Sequence, residues 1–84
     1  LLSDMGLVFL RQDQPDSAIA YLDRSLAADP SQLTTRGNLA VALERSGLKE
    51  RAMAEYRAYI SLAPPGRLRD RAEEALRMLE EEGN

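Results

Sequence analysis

Two stretches decide the fold. The first reads Ala18-Ile19-Ala20-Tyr21-Leu22-Asp23-Arg24-Ser25 and runs on to Pro30. The second reads Ala52-Met53-Ala54-Glu55-Tyr56-Arg57-Ala58-Tyr59 and runs on to Pro64. Corresponding residues lie 34 positions apart. Both stretches carry apolar residues at helical spacing, and each is closed by a proline that disfavours helical geometry at the residue before it. A fixed period of this size marks a chain built from stacked supersecondary units, each unable to bury its own apolar face alone.

Working outward, the pattern predicts five helical segments. The first covers about Leu2 to Gln12, with Leu2, Met5 and Phe9 on one stripe. The second covers about Pro15 to Ala28, with Pro15 suited to a first turn where its missing N–H is not needed. The third covers about Gln32 to Arg45, with Ser31 as its expected N-cap. Gly47 closes it, since glycine readily takes the left-handed conformation common at helix C-termini. The fourth covers about Lys49 to Leu62, and Pro64-Pro65-Gly66 stops it. The fifth covers about Leu68 to Glu81, apolar on one face and charged on the other. Short connections make neighbouring helices antiparallel. No strand signal occurs, so the expected class is all-α.

Sliding the chain by 34 gives four identities: Arg11/Arg45, Ala18/Ala52, Ala20/Ala54 and Pro30/Pro64. The size pattern survives better, with Gly6 against Ala40, Phe9 against Leu43, Leu22 against Tyr56 and Leu26 against Ile60. Small residues at Gly6, Ala18, Ala40 and Ala52 would let paired helices approach closely, while larger ones fill the grooves. A large residue at Ala52 is expected to cost about 1–3 kcal/mol by over-packing. A five-helix bundle with coincidental spacing is the alternative that the period argues against.

Composition narrows the function classes. The chain has 84 residues, enough for one small domain that buries about 60–65% of its unfolded surface. Charged residues are 30% of it and the net charge is −3, which argues against general nucleic-acid binding. There is no cysteine and no histidine, so disulfides and metal sites built on them are excluded. No apolar run approaches the roughly 20 residues that cross a bilayer, so no membrane insertion is expected. The opening Leu1-Leu2, without an initiator Met, reads as a piece of a longer protein. Glu73, Glu74 and Glu80–Glu82 lie on a solvated helix face that implies no pocket, and no phosphate loop or nucleophile arrangement occurs, so no enzyme activity and no cofactor are expected. Arg67, Arg69 and Arg71 form a basic run that Asp70, Glu73 and Glu74 offset, and it reads as surface.

These residues resemble the tetratricopeptide repeat family. Leu2, Met5, Gly6, Phe9, Ala18, Leu22, Ser25 and Pro30 fall on the family's places in a first copy. In a second copy the places hold Arg36, Leu39, Ala40, Leu43, Ala52, Tyr56, Tyr59 and Pro64. The departures are Arg36 for a large apolar residue, and Ser25 and Tyr59 for alanine. Tyr59 is expected beneath the last helix. The resemblance covers about residues 1–65. It implies a right-handed α-α superhelix of repeat 1 (about 1–31), repeat 2 (about 32–65) and a capping helix (about 67–82).

The resemblance also implies a function: binding a peptide or partner protein in the concave groove lined by the first helix of each repeat. Groove positions map to Ser3, Asp4, Leu7, Leu10 and Arg11, then Thr34, Asn38, Val41, Glu44 and Arg45. Asp4, Leu7, Arg11, Thr34, Asn38, Val41 and Arg45 are the candidate ligand-binding residues. Asn38 offers both a donor and an acceptor to a peptide backbone, or is simply a solvated polar residue. Arg11 and Arg45 either pair with a ligand carboxylate or complement a helix C-terminal dipole, and the dipole reading is favoured. The family's carboxylate clamp needs cations and a second asparagine where Ser3, Leu7, Leu68 and Ala72 stand, so no such clamp is expected. The alternative function is a structural self-assembly element that stacks, through an exposed repeat edge formed by Leu1, Leu2 and Met5, on another copy as a homo-oligomer or on neighbouring repeats.

Overall fold

A computed structural model of the chain describes Gly6 and residues 10–82. Its elements are α1 (Pro15–Ala28), α2 (Leu33–Arg45), α3 (Lys49–Leu62) and α4 (Arg67–Glu82). The expected five helices are therefore four among the described residues. The expected segment from Leu2 to Gln12 lies mostly outside them, though Gly6, Leu10 and Arg11 are helical. The other four match their expected bounds to within one residue. No strand occurs among the described residues.

The helices pack in sequence order, α1 on α2, α2 on α3 and α3 on α4. The described body measures 35 × 26 × 19 Å. Its core is one layer of small residues interleaved with large ones. Ala18, Ala40, Ala42 and Ala52 are fully buried, and Leu22, Leu39 and Leu43 fill the space they leave. Gly6 is packed so closely that a Cβ there would stand 2.6 Å from Leu22 Cγ. Leu10, expected at the groove, belongs instead to this core.

Each helix end has a local cause. Pro15 stands at the start of α1, and Asp16 accepts a 2.7 Å hydrogen bond from the Ser46 hydroxyl across the α2–α3 turn. After α2, Gly47 takes φ +78°, its N–H donates to the Glu44 carbonyl, and the Leu48 N–H reaches back to the Leu43 carbonyl at 2.9 Å. This pair of bonds is the Schellman closure. Thirty-four positions earlier Asp13 takes φ +59°, so the same left-handed stop recurs on a non-glycine residue.

The α1–α2 junction differs from expectation. Ser31 does not cap α2: its hydroxyl and N–H both turn back to the Asp29 carboxylate, at 2.6 and 3.1 Å. Those two bonds hold the Asp29 carboxyl below the usual carboxylate range. The residue entering α2 is Gln32, whose side chain ties the two helices together. Gln32 Nε2 donates to the carbonyls of Ser25 and Asp29, and Oε1 accepts from the hydroxyls of Ser25 and Thr35. Ser25 is buried, and its hydroxyl finds its partner in this amide. The polar departure from alanine at Ser25 is thereby satisfied.

Arg36, the other polar departure, is explained by its neighbours. Its Nη1 pairs with the Glu55 carboxylate of α3 at 3.0 Å, and its Nη2 donates to the Pro30 carbonyl. The side chain thus bridges the α1–α2 turn and α3, where an apolar residue would only fill space.

Candidate functional site

A cleft of about 370 Å³ opens between α2 and α4, with α3 as its floor. From α2 come Thr34, Gly37, Asn38 and Val41, from α3 come Tyr56 and Tyr59, and from α4 come Leu68, Arg71, Ala72 and Ala75. The two walls are related by the sequence period. Leu68, Arg71, Ala72 and Ala75 lie 34 positions after Thr34, Gly37, Asn38 and Val41 respectively. Helix α4 therefore stands toward α2 as the first helix of a further repeat would.

The floor is set by a size match. A Cβ on Gly37 would stand 3.1 Å from the Tyr59 ring, so the absent side chain is what lets that ring lie flush against α2. The ring is buried under the cleft, facing α4 residues as expected. Beside it, the Tyr56 hydroxyl donates to the Glu44 carboxylate at 2.7 Å. Burial first, and then the bond to Glu44 and its charge, push the Tyr56 phenol well above its ordinary value. It is a neutral donor across the physiological range, not an acid–base group.

Three expected groove residues, Thr34, Asn38 and Val41, meet in this cleft. Asn38 makes no hydrogen bond among the described residues. Arg45 is placed elsewhere: its Nη1 donates at 3.0 Å to the carbonyl of Leu10 in the preceding helical segment. This is a charge on a helix C-terminus, but not on its own helix. Arg11 is exposed and does not line the cleft. Asp4 and Leu7, with Ser3, lie outside the described residues.

Leu68 and Ala72 were placed in the groove by the repeat pattern and Tyr59 beneath the last helix, but Gly37, Tyr56, Arg71 and Ala75 were not among the expected groove residues. Arg71 is the consequential omission. It makes no ion pair or hydrogen bond among the described residues, whereas Arg69 and Arg77 on the same helix are tied to Glu73 and to Glu74 and Glu81. The 34-residue step carried through to Gly37 would have found it.

This architecture coincides with a family match. Residues 3–67 match the tetratricopeptide repeat family. The chain belongs to that family. No curated protein and no solved structure matches it. Tetratricopeptide repeats are generally protein-interaction modules on a scaffold that is typically non-catalytic. That membership suggests protein partners. Among the described residues, no group of acidic side chains could hold a metal ion, and no helix is long and apolar enough to cross a membrane. The match ends where α4 begins, so the α4 wall of the cleft comes from the structure alone.

Proposed function

We propose that the chain is a single interaction domain that docks a segment of a partner polypeptide in the α2–α4 cleft. Two repeats, about 1–31 and 32–65, present the groove, and 67–82 serves as the capping helix that closes it. The supporting observation is the convergence of Thr34, Asn38 and Val41 with Arg71, which pairs with none of the described residues, over an aromatic floor. Such a site combines apolar contact with a few polar groups that fix orientation. Asn38 reads the ligand backbone through its amide. Asp4, Leu7 and Arg11 remain candidate ligand-binding residues of the first repeat in this reading, while Arg45 is held by the Leu10 carbonyl.

The outer face of α4 favours docking over stacking at that end. Leu39, Ala40 and Leu43 are buried in α2, but the residues 34 positions later are Glu73, Glu74 and Arg77, all exposed. A copy stacked there would have to desolvate three charges.

Peptides selected from a displayed random library against the folded chain test the proposal. Asn38→Ala and Val41→Arg are expected to abolish most of the selected binding while leaving the thermal midpoint within a few degrees. Selected peptides that ignore both substitutions would place binding on another surface and remove the cleft from the function.

A further inference from the structure

Among the residues lining the cleft, formal charge is confined to Arg71. Thr34, Asn38, Tyr56 and Tyr59 are neutral, and the rest are apolar or glycine. The chain as a whole carries −3, so this cation stands out against an acidic background. Arginines elsewhere in the described residues are mostly engaged. Arg36, Arg51, Arg57, Arg69 and Arg77 each hold a carboxylate, and Arg45 holds a carbonyl. Glu74, one helical turn beyond Arg71 and able to reach it, is taken by Arg77 instead. Among the described residues the guanidinium keeps its full set of donors, beside the Asn38 carboxamide and over a tyrosine floor.

We propose that the cleft selects an acidic polypeptide segment, with one carboxylate side chain engaged by Arg71. The proposal rests on the docking reading above and adds the chemistry of the partner. Flanking apolar side chains of the segment pack on Leu68, which is 65% exposed at the rim, and on Val41 and Ala75. The ligand backbone meets the Asn38 amide. The charge stoichiometry is set by what surrounds Arg71. Leu68 and Ala72, on the same wall, supply no second cation, so a single carboxylate is matched within the cleft. Arg71 is exposed, so this charge-assisted contact has the modest strength of a surface ion pair and is screened by salt.

The test uses three blocked pentapeptides on the full chain: acetyl-Ala-Leu-Glu-Leu-Ala-amide and its Gln and Lys twins. Amide chemical shifts are followed during titration. The Glu peptide is expected to move Gly37, Asn38, Val41 and Ala75, and to bind roughly threefold to tenfold tighter than the Gln twin, with Lys weakest. About 0.5 M NaCl should erase most of that advantage. Arg71→Gln should equalise the Glu and Gln peptides with the thermal midpoint unchanged, because the side chain is exposed and bonds nothing described. Arg71→Glu should reverse the order in favour of Lys. Equal affinity of the Glu and Gln peptides at the cleft overturns the charge selection and leaves docking intact. Absence of shifts at the cleft with all three peptides overturns both readings. Tighter binding of a single-stranded oligonucleotide than of the Glu peptide at these residues overturns the polypeptide assignment.

Discussion

Gly37 and Tyr59 form a matched pair: the ring of one occupies the space a side chain on the other would need, with 3.1 Å from the missing Cβ position to the ring edge. The pair explains why an aromatic residue is accommodated where alanine is usual in the repeat pattern. It also means that the depth of the cleft is set by two residues 22 positions apart in the sequence. Gly37→Ala is expected to be near neutral in stability. A helix-interior alanine gains about 1 kcal/mol over glycine, and displacing the ring costs a similar amount. Gly37→Leu should cost about 1–3 kcal/mol, and Tyr59→Leu in the same chain should recover part of it. Urea unfolding of the two single variants and the double variant measures the coupling. Strict additivity would show that ring and glycine do not pack against each other.

The Tyr56–Glu44 bond predicts an alkaline weakness. The phenol is raised above its ordinary value in the folded chain by burial and by Glu44. Below about pH 9 both folded and unfolded states keep the proton, and this group adds no pH dependence. As pH passes about 10 the unfolded chain releases its proton while the folded chain retains it, so stability falls with rising pH. Tyr56→Phe should remove this part of the decline. Urea midpoints of the two proteins between about pH 8 and pH 11 are the measurement. An unchanged alkaline slope in the variant would exonerate Tyr56.

Helix limits were legible because punctuation residues set them. Pro15, Pro30, Pro64 and Gly47 act through their own backbone chemistry, which needs no tertiary context. The small residues at Ala18, Ala40 and Ala52 were legible as packing positions, since a period of 34 repeats both size and place. Side-chain partners across turns were not. Ser31 has the chemistry of an N-cap, but a carboxylate two residues away captures it, and Gln32 takes over the junction through bonds seven residues back. Half of the cleft was visible as Thr34, Asn38 and Val41. Leu68, Ala72 and Tyr59 were placed by the repeat pattern as well, whereas Arg71 was hidden because local charge balance describes the helix surface while the cleft is defined by the period.

The repeated left-handed stop makes a paired prediction. Asp13 and Gly47 occupy equivalent positions with φ of +59° and +78°. Nothing lies within 4 Å of a Cβ at Gly47, so substitution there is a test of backbone conformation alone. Gly47→Ala should cost about 1 kcal/mol, and Gly47→Asn less, because asparagine tolerates this region better. Asp13→Gly should do the opposite, stabilising by a few tenths to about 1 kcal/mol after the entropy of the unfolded glycine is counted. Thermal melts of all three variants decide it. Destabilisation by Asp13→Gly would mean that the carboxylate has a role beyond tolerating its backbone angle.

Gln32 is expected to be the most sensitive polar residue outside the cleft. It satisfies the hydroxyls of two buried residues, Ser25 and Thr35, and two carbonyls at the end of α1. Gln32→Ala takes away the partner of the buried Ser25 hydroxyl, and a buried polar group typically costs about 1–3 kcal/mol when left unpaired. Ser25→Ala alone should cost less, since alanine is the residue the repeat pattern places there and no polar atom is stranded in its side chain. Combining Ser25→Ala with Gln32→Ala should therefore cost less than the sum of the two. The double-mutant cycle in urea reads that difference directly. Independent effects would show that the amide acts only as a cap on the α1 carbonyls, and that Ser25 is tolerated by its size instead of its hydrogen bond.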